Sequence, residues 1–419
     1  MSVFASMESE VRSYSRAWPT VFTTARGAEL TDEDGRVHLD FFAGAGALNY
    51  GHNPPELKAA LLEYLTGDGI THGLDMHTAA KGVFLERLRD LVLRPRGMDH
   101  RVQFPGPGGT NAVEAALKLA RKVTGRRTVG YFERGFHGMT LGALAITANP
   151  AKRAGAGVPL PHTVAMPFDD TADDNEQAVT RLIRSLEAAS ADGPLAAVVV
   201  ETVQGEGGVN PARPAWLRAL ASWTRAHGTL LVADDIQMGC GRTGSFFSFE
   251  PAGIVPDVIC LSKSISGYGM PMALTLMRPE YDVWCPGEHN GTFRGYNPAF
   301  VTAARALEVH WSDGALAART AMLGERVRRS LTDTAQRHGL RGPRGRGLAW
   351  GLPMDRPGAA RDVCDTAFRA GLLLETAGPQ DEVVKLLPPL TVAEDQLAQG
   401  LAILDEAVAA VAGDRALVA

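Results

Sequence analysis

The chain has 419 residues, of which 45% are hydrophobic and 21% charged, and a net charge of −5 at neutral pH. That is ample apolar material for a large core divided between two domains, and the lack of a basic block speaks against nucleic acid as a partner. Glu8 and Glu10 precede any apolar run, which does not suit a secretory signal, and no stretch is apolar for the length of a membrane span. Cys240, Cys260, Cys285 and Cys364 are scattered without a C-x-x-C pair. This argues against a metal such as zinc and against a disulfide framework, and fits a reducing cytoplasm.

Residues 1–26 read as a helix and a loop. Residues 27–42 read as a hairpin around the turn dipeptide Asp34-Gly35. The small residues, Gly51, Pro54 and Pro55 of 43–57 make a tight loop before a helix that starts near Glu56. Helical periodicity runs over 56–66 and 78–93. Between them His72 and His77 are five apart, a poor spacing for one metal on one helix face, so both are expected in a loop. Val102-Gln103-Phe104 reads as a short strand, 105–110 as a glycine-rich turn and Asn111–Lys122 as a helix. A strand, a glycine turn and a hydroxyl at a helix start can form an anion site, since free N–H groups and the helix dipole converge there. Thr110 serving only as an N-cap explains the same pattern equally well. Val129–Phe132 reads as a strand that exits toward Phe136, an aromatic able to stack on a flat ring or to fill a core. Residues 148–194 are polar, with a charged helix over about 174–190.

Leu195–Val200 is an unbroken apolar run ending at Glu201, with Glu206 five residues on. A helix over 214–227 follows, then Leu230–Ala233 ending in Asp234-Asp235, then Val258–Leu261 ending in Ser262-Lys263. Short apolar runs alternating with helices predict a buried parallel sheet. In such sheets functional groups lie just past the carboxyl ends of the strands. Two neighbouring strand ends would thus offer a carboxylate and an amine. That pair suits pyridoxal phosphate, which needs a lysine to hold it as a Schiff base and an anion to keep its ring nitrogen protonated. Further on come a strand over Ala273–Met277, a loop over 289–298 rich in donors, and helices over 299–311 and 314–337. The last hundred residues alternate strands (348–352, 383–387) and helices (362–370, 393–411), which reads as a separate α+β module.

Six stretches in fixed order carry a resemblance: GGTNAVEAALKLARK (108–122), FHG (136–138), ETVQGEGG (201–208), DDIQMGCGRTG (234–244), SKS (262–264) and GTFRGYNP (291–298). Together they resemble the class-III, ornithine- and GABA-aminotransferase-like family of fold-type-I pyridoxal phosphate enzymes, over nearly the whole chain. The resemblance implies an α/β fold: a large domain over 51–310 with a mostly parallel seven-stranded sheet, and a small α+β domain made from 311–419 with the segment 1–50. It implies Lys263 as the cofactor lysine and proton carrier, Asp234 at the ring nitrogen, Gln237 near the phenolic oxygen and Phe136 stacked on the ring. Gly109 and Thr110 would hold the phosphate, and Thr292 would reach the phosphate of a neighbouring subunit, hence a homodimer or larger with shared sites and small-molecule amino- and oxo-acid substrates. In relatives the glutamate after Gln-Gly pairs with a late arginine for one substrate and releases it for the other. Glu206 matches the first position, but Lys385 stands at the second. Lysine is a point charge without arginine's fork, so Arg294 is an alternative carboxylate ligand, and Glu206–Lys385 is a substrate switch or a plain ion pair. The family's Asp-Glu is Asp-Asp here, at 234–235.

Overall fold

The Asp34-Gly35 turn forms as its chemistry suggests. Strands β2 (Glu29–Asp32) and β3 (Val37–Asp40) pair antiparallel around it, Gly35 taking a positive φ of 79° that only glycine adopts without strain. Asp32 accepts the N–H groups of Asp34 and Arg36 inside the turn. In the expected helix-and-loop segment, Phe22–Arg26 is instead strand β1, paired antiparallel with β2. None of its residues is fully buried, and its register with β2 shifts between Phe22 and Thr24, so no clean period of two marks it in the sequence. The structure, a computed structural model, describes residues 2–170 and 174–413.

The central sheet takes strands β4 (Arg101–Gln103), β5 (Val129–Phe132), β6 (Thr163–Met166) and β7 (Ala197–Val200). After the short pair β8 (Val203–Gln204) and β9 (Asn210–Pro211) come β10 (Leu230–Asp234), β11 (Val258–Leu261) and β12 (Leu274–Met277). Seven strands lie in the order β4-β12-β11-β10-β7-β5-β6. Only β12 runs against the rest, pairing antiparallel with both neighbours. The apolar runs are buried at every position of β5, β7, β10, β11 and β12, as a sheet covered on both faces requires. The helix Gly109–Thr124 lays Ala112, Ala116, Leu119 and Ala120 on one face of it, the alanines allowing close approach. Helical periodicity over 78–93 resolves into an α-helix, Ala79–Arg87, continued by a π-helical turn, Leu88–Leu93.

The C-terminal module contains β13 (Arg344–Arg346), β14 (Ala349–Pro353), β15 (Leu372–Leu373), β16 (Glu375–Ala377) and β17 (Val383–Leu386). One sheet runs β13-β14-β17-β16, leaving β16 at its edge, while β15 crosses to pair with β3 of the N-terminal sheet. The helices Ala359–Arg369 and Glu394–Gly413 pack together beside these strands. Among the described residues no helix is long and apolar enough to cross a membrane.

Candidate active site

The two strand ends are neighbours. β10 and β11 pair in parallel, with Asp234 opposite Cys260, and Lys263 follows β11 by two residues. Lys263 has a positive φ of 53°, a conformation non-glycine residues adopt only when their surroundings hold them there. Ser262 and Ser264 supply the hold: Ser262 Oγ donates to the Met272 carbonyl at 2.8 Å, and Ser264 Oγ to that of Gly46 at 2.8 Å. The Lys263 ammonium donates to the Ala45 carbonyl at 2.7 Å. Burial pushes its pKa down, against the pull of Glu206.

Asp234 is held by two neighbours. His137 Nδ1 lies 2.7 Å from Asp234 Oδ2, and the Ile236 N–H donates to Oδ1. Burial tends to lower the pKa of His137, but the bond to Asp234 and the charges of Asp234 and Glu201 outweigh it, so the imidazole is held above its ordinary value. Glu201 accepts the Phe136 and Gly205 N–H groups at 2.8 and 3.1 Å, and burial pushes it up to about 7. Asp235 turns away to accept the Ser248 N–H at 3.0 Å, which separates its structural place from that of Asp234.

Gln237 bridges the lysine to the next cluster. Its amide donates to the Ala45 carbonyl at 2.9 Å and to Glu206 at 3.1 Å, while its buried Oε1 has no partner among the described residues. A side chain at Gly205 would collide with that oxygen. Glu206 lies 2.6 Å from the ammonium of Lys385, and Glu375 lies 2.9 Å from it on the other side. Lys385 is fully buried. The Glu206 carboxyl sits at about 2: burial raises it, but Lys385 and Lys263 pull it lower. Burial lifts Glu375 to about 7 despite Lys385.

The glycine turn and the FHG stretch meet. The helix opens at Gly109, two residues earlier than the Asn111 start the sequence suggests, with Gly108 before it. Thr110 is thus inside the first turn rather than the cap, and the first-turn N–H groups have no acceptor within the helix. Thr110 Oγ1 is 2.6 Å from Thr140 Oγ1, which donates to Glu114. Gly138, at φ 132°, passes so close that a Cβ there would lie 2.5 Å from Thr110 Oγ1. A Cβ on Gly109 would be 3.5 Å from that of Ser262, beside Lys263. Phe136, Glu206, Glu375, Tyr14, Trp18 and Arg361 line a cavity of about 420 Å³.

Thus Lys263, Asp234, Gln237, Glu206, Lys385, Gly109, Thr110 and Phe136 converge. Thr292 and Arg294 do not. Thr292 is exposed, its carbonyl 2.7 Å from a ring nitrogen of His72, and Arg294 pairs with Asp75 beside a separate cavity. Sequence reasoning missed His137 and Glu375. His137 lies inside the FHG stretch, but its partner Asp234 is far off in sequence, and Glu375 lies outside the six stretches that carry the resemblance.

A buried amine and a fixed carboxylate at adjacent strand ends, an unpartnered amide oxygen, and open helix N–H groups fit pyridoxal phosphate in size and charge. The sequence pattern described as Aminotransferase class-III matches residues 11–408. The chain belongs to the class-III aminotransferases. It is 61% identical over 97% of its length to a diaminobutyrate–2-oxoglutarate transaminase of Nocardia farcinica, of which it covers 94%. It is 50% identical over its full length to the one of Halalkalibacterium halodurans, covering 98% of that protein. Among solved structures, an amine transaminase from an uncultivated Pseudomonas species in its PLP-bound form superposes with a TM-score of 0.86 at 26% identity, over 97% of this chain and 98% of that one. The ornithine aminotransferase of Toxoplasma gondii gives a TM-score of 0.85 at 26% identity, over 98% of this chain and 94% of that one. The mostly parallel seven-stranded sheet and the α/β class expected from the sequence are those of this class-III fold.

Proposed function

We propose that this aminotransferase uses pyridoxal phosphate to move the amino group of L-glutamate to L-aspartate 4-semialdehyde, giving L-2,4-diaminobutyrate and 2-oxoglutarate, as at the start of ectoine synthesis. One observation carries this reading: Lys263 and Asp234 meet at adjacent strand ends, with Glu206 between the lysine and the cavity, in a chain 61% identical to a transaminase of that name.

When bound, pyridoxal phosphate supplies an electron sink and a carbon at which one amine exchanges for another. Lys263 would hold it covalently and, once released, carry a proton at the substrate carbon that bears the amine; its lowered pKa keeps part of it neutral for both tasks. Asp234, fixed by His137, would keep the ring nitrogen protonated. Gln237 would use its free Oε1 at the phenolic oxygen, Phe136 would cover one ring face, and Gly109 and Thr110 would take the phosphate at the helix start. Glu206 and Lys385 would meet the far end of the two substrates in turn.

On this reading the sites are shared in a homodimer or a larger assembly. Thr292 is exposed in a single chain, and Ile70, Leu74, Met76 and Phe293 expose apolar side chains near the His72–Thr292 contact, which supports Thr292 serving a second copy. The small domain would combine 1–50 with 311–419 around a cofactor domain of 51–310, a division supported by the pairing of β15 with β3. Four free cysteines suit a cytoplasmic protein.

The test is incubation of the holoenzyme with L-glutamate and L-aspartate 4-semialdehyde and detection of diaminobutyrate. Lys263→Ala and Asp234→Ala should both abolish it. Failure to form diaminobutyrate, with brisk turnover of ornithine or 4-aminobutyrate, would replace this substrate assignment.

A further inference from the structure

Two buried carboxylates on one wall of the cavity share a single ammonium as ion-pair partner; Arg134, Lys152 and Arg361 also line the cavity, but among the described residues none of the three makes an ion pair with Glu206 or Glu375. Glu206 and Glu375 both reach Lys385, at 2.6 and 2.9 Å, and both line the cavity. The other cation felt by the two carboxylates is Lys263, which the reading above commits to the cofactor. In the working enzyme one fixed ammonium then serves two buried carboxylates. A buried carboxylate without a counter-charge of its own is strongly disfavoured, so a cation entering from the cavity is stabilised there.

The two acids are not equivalent. Glu206 also receives the Gln237 amide at 3.1 Å, whereas Glu375 has Lys385 as its one ion-pair partner among the described residues. Glu375 lies on the edge strand β16, directly opposite Lys385 of β17, and lines the cavity. Tyr14 and Trp18, stacked at 5.7 Å, line it as well, with the Tyr14 hydroxyl beside Glu375. A carboxylate flanked by aromatic faces is a setting for an alkylammonium.

We propose that Glu375 is a specificity-determining residue that takes the α-ammonium of a diamino-acid substrate while the terminal amine reacts. The assignment rests on the transaminase reading and adds what the site selects: terminal amines that carry an α-amino group, over those that lack one. A donor without that group leaves Glu375 unpaired in the complex.

The experiment measures kcat/KM of the holoenzyme with 2-oxoglutarate for two matched donor pairs, 2,4-diaminobutyrate against 4-aminobutyrate and ornithine against 5-aminopentanoate. Wild type should favour the α-amino member of each pair. Glu375→Gln should shrink that preference about ten- to hundredfold, mainly through KM, as expected for losing a charge-assisted hydrogen bond. Glu375→Asp, which keeps the charge and guards against a misfolded amide variant, should fall between. An unchanged ratio in Glu375→Gln, an equal loss on both members, or no preference in wild type would each overturn the assignment. Failure of the proposed function shows differently, as wild type that turns over ornithine but not diaminobutyrate; the ornithine pair then still reads out Glu375.

Discussion

Lys385→Met removes the one cation that two buried carboxylates share, and its consequence can be worked from the contacts. From a fully buried position the lysine donates a hydrogen bond to Glu206 at 2.6 Å and makes an ion pair with Glu375 at 2.9 Å. Removing one partner of such a buried set costs about 3–5 kcal/mol, because the charge left behind has neither water nor partner. We expect that loss of unfolding free energy near pH 8. The sign of the pH dependence follows. In wild type Glu206 sits at about 2, below its ordinary value, so its contribution is present above the unfolded pKa and survives until the pH falls through 2. Without Lys385, burial leaves both carboxyls raised. A carboxyl with a raised folded pKa contributes stability below its unfolded value and loses it as pH rises through the folded one. The variant therefore recovers on acidification, and its gap to wild type narrows at about pH 5. Urea unfolding of both proteins at the two pH values measures the gap. A deficit smaller than about 1 kcal/mol near pH 8, or one that does not shrink on acidification, would refute the reasoning.

Three further outcomes follow from single contacts. Gly138→Ala puts a Cβ 2.5 Å from Thr110 Oγ1 at a φ of 132°; the displaced helix start should weaken cofactor retention about tenfold, as an absorbance titration of the apoenzyme would read. Arg242 is fully buried, bonded to Asn49 Oδ1 and to the Leu348 and Pro388 carbonyls, so Arg242→Met should lose about 3–5 kcal/mol in denaturant unfolding, and Arg242→Lys should rescue little of it for want of the fork. His137→Asn should lower kcat with little change in KM. Because the His137 pKa is raised in the folded chain, its stability contribution is fully present below the unfolded value and is lost as pH rises through the folded one, so the stability gap should be wider at about pH 6 than at about pH 9.

The sheet was legible wherever a strand is buried on both faces, because such a strand must be apolar throughout. β5, β7, β10, β11 and β12 satisfy that condition. β6 does not: at the sheet's edge Thr163 and Val164 are only partly covered and Ala165 is exposed, so its sequence melts into the polar stretch around it. β1 failed for the same reason. The site divided along a similar line. Lys263 and Asp234 stand out because a polar residue ends an apolar run. His137 and Glu375 are visible only once the chain has folded, since the first is defined by Asp234, 97 positions away, and the second by a β16–β17 register that no local pattern announces. Lys385 was noticed as a departure from an expected arginine. In the structure its ammonium sits between two carboxylates, Glu206 and Glu375, rather than facing one.

The same lysine pulls on both acids, yet they settle apart, Glu206 at about 2 and Glu375 at about 7. Glu206 gains Gln237 and the nearer approach to Lys385 and Lys263, while Glu375 has burial against it and a second carboxylate close by. The cavity thus offers one permanent anion and one acid that titrates near neutrality, the kind of separation that divides roles between paired carboxyls. If Glu375 must be ionised to take a substrate ammonium, kcat/KM for 2,4-diaminobutyrate should rise with pH through a value near 7, and that for 4-aminobutyrate should lack this step. Both donors must also lose a proton from a terminal amine of similar basicity, so the ratio of the two cancels that requirement; the α-ammonium of diaminobutyrate begins to lose its own proton at about pH 8, an effect common to wild type and Glu375→Gln. Lys385, Glu206, Lys263, Tyr14 and Cys364 are charged or titratable groups that act on it, and of these Glu206, Lys385, Tyr14 and the Cys364 thiol hold one charge state across neutrality. A ratio that stays flat from about pH 6 to about pH 8 in wild type would remove Glu375 from substrate recognition, whereas a slope that vanishes in Glu375→Gln would tie it to this carboxyl.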